Sequence, residues 1–395
     1  MISRILASTL SERARQYPVV TLTGPRQSGK TTLCRVTFPD KPYVNLESLD
    51  VREFAESDPR GFLKAHAEGA ILDEIQRAPG LVSYLQAEVD ADPRPGRFIL
   101  TGSQQFEVMS SISQSLAGRT ALLKLLPFSL EELPDDASRA DLDRMLFTGF
   151  YPRIHDAGLD PAVALGDYVQ TYVERDIRQL LAIKDLALFE KFVRLCAGRV
   201  GQLLNLQSLG NEVGISHTTA RNWLTLLEAT YIVFLLQPWH VNLAKRQVKS
   251  AKLYFYDVGL AAWLMGCEQA THIRRHPLRG NLFENMIVIE ALKYRYNRGK
   301  RNNLYFWRDA KGHEVDLLLE QGMEVAAVEI KSGATIHPDW WKGLRAFSGH
   351  FAAPPGFLAL VYGGDERQQR SDASIWRATD VAPMLAAFEA GVNGV

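Results

Sequence analysis

The octapeptide Gly24-Pro25-Arg26-Gln27-Ser28-Gly29-Lys30-Thr31 constrains this chain more than any other feature. It fits the pattern G-x-x-x-x-G-K-[ST] without a mismatch. The apolar run Val19–Thr23 precedes it and a helical stretch, Thr32–Val36, follows, which is the strand, turn and helix context such a loop requires. Its glycines let the backbone wrap a phosphate, and successive N–H groups at a helix N-terminus suit an anion. The pattern predicts that residues from Gly24 to Thr32 cradle the phosphates of ATP, with Lys30 reaching the β- and γ-phosphates and Thr31 holding Mg2+.

Further strand-like runs at Tyr43–Leu46, Ala70–Asp73, Phe98–Thr101 and Ala121–Leu126 alternate with helical stretches. The first part of the chain therefore reads as α/β with a largely parallel sheet. Ala70-Ile71-Leu72 ends in Asp73-Glu74, so a buried strand would deliver two carboxylates to the sheet edge beside the phosphates. Asp73 is expected in the Mg2+ shell and Glu74 as general base for the attacking water. The Phe98–Thr101 run leads into Gly102-Ser103. If that strand lies between the two motif strands, Thr101 or Ser103 faces the γ-phosphate; the alternative is a plain Ser/Gly turn.

The chain has 395 residues, with Lys+Arg and Asp+Glu both at 45. That length implies more than one domain. The balance argues against a general coat for polyanions, while leaving room for a local basic face. Cys34, Cys196 and Cys267 are far apart in sequence, so neither a disulfide framework nor a zinc site is expected. No run approaches the ~18 apolar residues of a membrane span, and the N-terminus reads as a helix and not a signal peptide. The expectation is a cytoplasmic protein with no membrane partner.

The segments GPRQSGKTT, ILDEIQRAP, ILTGSQQF, LAGR and YVERDI together resemble the AAA+ class of P-loop ATPases. In particular they resemble a prokaryotic group that joins this ATPase to a C-terminal domain. The resemblance implies ATP hydrolysis and a homo-oligomer assembled through the ATPase domain. It also implies that Arg119, just before the Ala121–Leu126 run, reaches a neighbour's γ-phosphate; the alternative is a solvated surface arginine. The usual helical lid looks reduced, and Arg153 is one candidate for a lid arginine.

Asn205–Ser216 reads as a short helix and a glycine-containing turn, and His217–Ala229 as a second helix capped by Ser216. This is a helix-turn-helix pattern. Tyr231–Leu236 and Lys252–Tyr256 are candidate wing strands, with Lys245, Arg246 and Lys249 between them. DNA contact would run through His217, Thr218, Thr219, Arg221 and Asn222, with Lys245 and Arg246 on phosphates. The alternative is a winged helix used only for packing or assembly. In Tyr172–Ile177, the charges Glu174, Arg175 and Asp176 interrupt an apolar face that includes Tyr168, Leu180 and Leu181. They read as a solvated charge set or as an ion-paired hinge.

Toward the C-terminus, an amphipathic helix opens near Gly280 and carries Glu284. A hairpin, Leu304–Trp307 with Glu314–Leu319, carries Asp316, and the strand Val325–Lys331 places Glu329 and Lys331 on one face. This order resembles the PD-(D/E)xK, or restriction-endonuclease-like, superfamily, although Val315 stands where the family name has proline. The resemblance implies Mg2+ held by Glu284, Asp316 and Glu329, with Lys331 near the reacting phosphate. A cross-strand ion pair without metal is the alternative.

The expected organisation is an ATPase domain over 1–160 with a reduced lid, a helical linker and winged-helix module over 161–270, and a small α/β nuclease-like module over 271–395. Pro134-Asp135-Asp136 and Arg275-His276-Pro277 are junction signals. Three functions follow. One couples ATP hydrolysis to a nucleic-acid-directed C-terminal half, with DNA as partner. The second is a nucleotide-gated switch whose C-terminal half docks proteins and has no nuclease activity. The third is a DNA-binding transcription factor with the ATPase as sensor, which the metal-site constellation makes less natural.

Overall fold

The structure is a computed structural model describing residues 2–103, 115–134, 141–174, 185–240 and 250–393. It divides into two units, one of Met1–Phe128, Ala229–Ile232 and Arg295–Lys300, the other of Ser129–Glu228, Val233–Tyr294 and Arg301–Val395. Arg175, Asp176, Ile177, Leu180, Leu181, Lys245, Arg246 and Lys249 lie outside the described residues.

The first unit runs α1 (Leu6–Ala14), β1 (Val19–Thr23), α2 (Lys30–Thr37), β2 (Tyr43–Asn45), α3 (Leu49–Ser57), α4 (Pro59–Ala65), β3 (Ala70–Asp73), α5 (Leu81–Ala91), β4 (Phe98–Gly102) and β5 (Thr120–Lys124). The strands pair in parallel in the order β2-β3-β4-β1-β5. β4 thus lies between the strands ending in Gly24 and in Asp73-Glu74. β1, β3 and β4 are buried along their whole length, which is why they read as unbroken apolar runs. Alternate residues feed two cores: Leu72 and Leu100 pack with α3, α4 and α5, while Val20, Leu22, Ile71 and Ile99 pack with α1 and α2.

The second unit begins with α6 (Leu142–Thr148), α7 (Pro152–Asp156), α8 (Pro161–Tyr168), α9 (Leu186–Ala197), α10 (Leu206–Val213) and α11 (His217–Ala229). Most of these starts are legible in sequence because a side chain caps them. Asp160 accepts from Val163 N, Asp185 from Leu188 N, Asn205 from Ser208 N and Ser216 from Thr219 N, each at 3.0 Å. Each cap stabilises its helix by about 1 kcal/mol. Gly214 ends α10 at φ +92, a left-handed turn that favours glycine. Tyr172 is buried against Tyr168, with ring centroids 5.3 Å apart.

After β6 (Val233–Pro238) and β7 (Lys252–Phe255) come α12 (Val258–Leu264), α13 (Ala270–Arg275), α14 (Arg279–Asn297), β8 (Leu304–Arg308), β9 (Glu314–Gln321), β10 (Glu324–Lys331), α15 (Lys342–Phe351), β11 (Leu358–Tyr362), β12 (Gln368–Gln369), β13 (Ser374–Arg377) and α16 (Val381–Asn393). These strands form one mixed sheet of order β12-β13-β11-β10-β9-β8-β6-β7. The expected wing strands differ from a projecting wing in two ways. β6 and β7 pair antiparallel, but β6 also pairs with β8 through Gln237 and Pro238, so the hairpin is the sheet's edge. β7 is buried throughout, and its apolar residues are core. The strand also starts at Val233, because Tyr231 takes a left-handed φ of 58° and its hydroxyl lies 2.8 Å from that of Thr23.

Candidate functional site

The loop after β1 has the conformation its sequence implies. Gly24 has φ +152, and a Cβ there would lie 2.0 Å from the Leu125 carbonyl oxygen, so no side chain fits. Gly29 and Gln27 are also left-handed. Lys30 is buried, and its ammonium donates to the carbonyls of Gly24 at 2.9 Å and Pro25 at 2.8 Å. Burial lowers its pKa, opposed by the nearby carboxylates of Glu74 and Asp73. The Ser28 hydroxyl is buried without a hydrogen-bond partner, an orphan that a phosphate oxygen would satisfy. Thr32, on α2, is exposed.

Asp73, at the end of β3, meets three hydroxyls. Thr31 donates to its two oxygens at 3.1 and 2.9 Å, Tyr43 donates at 2.7 Å, and Thr101 donates to Oδ1. A hydroxyl and a carboxylate side by side at the phosphate loop are the donor set a hard cation takes, so Thr31 and Asp73 fit Mg2+. Burial, then the bond to Asp73, pushes the Tyr43 phenol well up.

Glu74 turns the chain at φ 58 and ψ 49. Its Oε2 accepts from the Ser103 hydroxyl at 3.1 Å and from the Gln76 amide, which also donates to Ser103 Oγ at 3.1 Å. Its backbone N–H donates to Thr101 at 3.3 Å. Thr101 therefore serves Asp73 and Ser103 serves Glu74, so the hydroxyls at and just past the end of β4 both face the acidic pair.

Arg119 lies at the other end of the sheet. Its carbonyl accepts from Val19 N at the start of β1, while the phosphate loop leaves the finish of β1. Five strand residues span roughly 16 Å, more than an arginine side chain reaches. Its guanidinium pairs with Asp90 at 2.5 and 2.8 Å on the surface. Arg153 is exposed on α7 in the other unit.

On α11, Thr218, Arg221 and Asn222 are exposed, while His217 and Thr219 are half-buried. Thr219 spends its backbone N–H on the Ser216 cap. A groove of about 820 Å3 runs beside this helix, lined by Asn205, Gln207, His217, Arg221 and Glu228 among others. Burial raises the Glu228 carboxyl to about 7.

The C-terminal candidates come together, but around two ammonium groups. Glu284 Oε1 accepts from Lys252 at 2.8 Å and from Tyr254 at 2.6 Å. Lys252 also lies 2.6 Å from Glu314 and 3.8 Å from Asp316. Asp316 Oδ2 accepts from Ile330 N at 2.8 Å and Lys331 at 3.2 Å, and Lys331 pairs with Glu329 at 2.5 Å. Burial, then the Asp316 charge, pushes Glu284 up to about 7 and Glu329 up to about 8. Burial alone would lower Lys252, but the surrounding carboxylates outweigh it and raise its pKa. Among the described residues, no three His, Cys, Asp or Glu side chains are grouped to hold a metal ion.

Comparison with known proteins follows the same division. The chain is 32% identical over 377 residues to the uncharacterized protein Rv2008c of Mycobacterium tuberculosis, covering 94% of this chain and 82% of that relative. The uncharacterized protein Mb2031c of Mycobacterium bovis matches to the same extent. The chain belongs to the family of these mycobacterial proteins. Residues 16–134 match an AAA domain, residues 139–271 a domain of unknown function (DUF8612), and residues 279–383 another (DUF4143). Among solved structures, the Walker-type ATPase paby2304 of Pyrococcus abyssi is similar at 14% identity and a TM-score of 0.45, over 66% of this chain and 94% of that one. AMPPCP-bound DnaA of Aquifex aeolicus is similar at 14% identity and a TM-score of 0.29, over 57% and 86%. Among the described residues, no helix is long and apolar enough to cross a membrane.

Residues that sequence reasoning did not single out complete both clusters. In the first unit they are Arg4, which donates to the carbonyls of Ser28 at 2.7 Å and Leu126 at 2.6 Å, with Tyr43 and Gln76. The signal for Gln76 was its place just after the acidic pair; Arg4 and Tyr43 carried none. In the DUF4143 region and the strand before it, Lys252, Tyr254 and Glu314 were missed. A lysine opening the otherwise apolar run Leu253-Tyr254-Phe255 was the available hint, since a lysine buried in a strand needs a carboxylate partner.

Proposed function

We propose that this protein binds and hydrolyses ATP in its AAA domain and uses nucleotide state to control its C-terminal half. The observation that carries this reading is the convergence of Lys30, Thr31, Asp73 and Glu74 on one loop, with Glu74 aimed by Ser103. Lys30 would release the Gly24 and Pro25 carbonyls to take the β- and γ-phosphates. The N–H groups of the loop and Ser28 would hold the phosphate oxygens, and Glu74 would accept a proton from the attacking water. Mg2+ at Thr31 and Asp73 supplies charge neutralisation at the phosphates. Arg119 would act on a neighbouring copy's γ-phosphate within a homo-oligomer, because its own loop is beyond reach. ATP turnover in Mg2+, lost in Lys30→Ala, is the test.

The reading divides the chain into 1–160, 161–270 and 271–395; the second matched span, 139–271, begins before the first of these junctions. The helix-turn-helix of α10 and α11 is proposed as the DNA-directed part, through Thr218, Thr219 and Arg221, with Lys245 and Arg246 as further phosphate contacts. The last segment is proposed to be similar in fold to PD-(D/E)xK nucleases. ATPase rate titrated with defined duplexes tests this: stimulation supports it. A rate unmoved by any duplex leaves the second reading, a nucleotide-gated switch without nuclease activity, which the buried Lys252 favours.

A further inference from the structure

We propose that Lys252 is the resident cation of the C-terminal carboxylate cluster, standing where a divalent metal would have to stand, so that this half is a closed, ion-paired platform and not a metal-dependent nuclease. The lysine side chain is 3% exposed, on an edge strand whose neighbours Leu253 and Tyr254 are wholly buried. A lysine is brought that far from water only when carboxylates compensate its charge. Here three surround it: Glu284 Oε1 at 2.8 Å, Glu314 Oε1 at 2.6 Å and Asp316 Oδ1 at 3.8 Å. Phe306 closes another side, its ring centroid 5.6 Å from Nζ.

Two of the oxygens a metal would use are already engaged, while Glu329 Oε2 is buried without a hydrogen-bond partner and Asp316 Oδ1 has Lys252 at 3.8 Å. Mg2+ takes oxygens at about 2.0–2.1 Å in an octahedron and keeps several waters. Glu284 Oε1 instead carries an ammonium and a phenol, and Asp316 Oδ2 carries a backbone N–H and a second ammonium, Lys331. Lys331 also spans to Glu329, so Asp316 lies between two lysines. A metal at Glu284 and Asp316 would have to take Glu284 from Lys252 and place a second cation beside a buried ammonium that keeps only Glu314, at 2.6 Å. Glu284 and Asp316, which looked like ligands in sequence, are thus counter-ions of a lysine from a different strand, while Glu329 pairs with Lys331 of its own strand.

The test measures Mn2+ binding to the full-length, nucleotide-free chain by electron paramagnetic resonance, in an Asp73→Asn background that removes the phosphate-loop carboxylate. No Mn2+ should bind at micromolar concentration. Lys252→Met keeps the length and removes the charge, and it should gain Mn2+ affinity by at least about 10-fold, a gain that a further Asp316→Asn removes. Lys252→Arg, which keeps the cation, should gain none and serves if the methionine variant fails to fold. Mn2+ binding by the chain with Lys252 intact, abolished by Asp316→Asn, would overturn the proposal. So would Lys252→Met folding normally and gaining no affinity. Neither outcome touches ATP binding, which is measured separately.

Discussion

Arg4 Nη1 donates to the carbonyl oxygen of Ser28 at 2.7 Å, from behind the phosphate loop. The same guanidinium donates to Leu126 O at 2.6 Å and lies 4.8 Å from the ring centroid of Phe128. In a trans peptide the C=O and N–H point in opposite directions. Holding the Ser28 carbonyl outward therefore aims the Gly29 N–H inward, into the cradle. Arg4→Ala is expected to weaken ATP binding about 10-fold, the size of one charge-assisted hydrogen bond, with little change in kcat at saturation. Arg4→Lys cannot span both carbonyls and should recover only part. Titration with a fluorescent ATP analogue checks this; unchanged affinity in Arg4→Ala would show that the loop needs no brace.

Lys30→Ala and Glu74→Gln should fail differently. The first removes the cation that meets the phosphates, so nucleotide binding falls. The second keeps shape and the Ser103 contact but loses the base, so ATP binds and persists while turnover falls by about 100-fold or more. Filter binding beside single-turnover hydrolysis separates them. Wild-type turnover by Glu74→Gln would remove Glu74 from the base role.

Arg119 should act between copies. Arg119→Ala is expected to lower turnover by at least about 100-fold while leaving ATP affinity within a few fold. Mixing it with Lys30→Ala should restore part of the rate, because one mixed interface carries both intact groups. Full activity in a strictly monomeric wild-type sample would defeat this.

Glu228 gives a pH signature. Burial raises its carboxyl to about 7, above its ordinary value of 4.5, in a groove shared with His217 and Arg221. A raised carboxyl means the folded state binds the proton more tightly than the unfolded one. Its favourable contribution is present below 4.5 and is lost as pH rises toward 7. Glu228→Gln should therefore raise Tm at pH 8 by about 2–4 °C and change it little at pH 4.5. Equal shifts at both pH values would point to packing instead of charge.

Much of the fold was legible because its cues are local. The cap Ser216, read in the sequence, acts on an N–H three residues ahead, and Asp160, Asp185 and Asn205, which were not read as caps, do the same. The buried strands of the AAA domain read as apolar runs because helices cover both faces. β6 and β7 were less legible, since a two-stranded hairpin looks the same in sequence whether it projects as a wing or joins a sheet. Pairing of Gln237 with Tyr305 settled which, and that partner lies in a distant strand.

The sequence by itself determined the phosphate loop, the acidic pair and the strand that carries Thr101 and leads into Ser103, because a phosphate cradle is built from consecutive N–H groups of one turn. Only the tertiary structure decided what the C-terminal carboxylates face. Glu284, Asp316, Glu329 and Lys331 come in the order that the PD-(D/E)xK resemblance implies for a metal site, and that order is blind to Lys252, which comes from another strand. Charge in a buried cluster depends on which groups share the low-dielectric space, and that sharing exists only once the chain has folded.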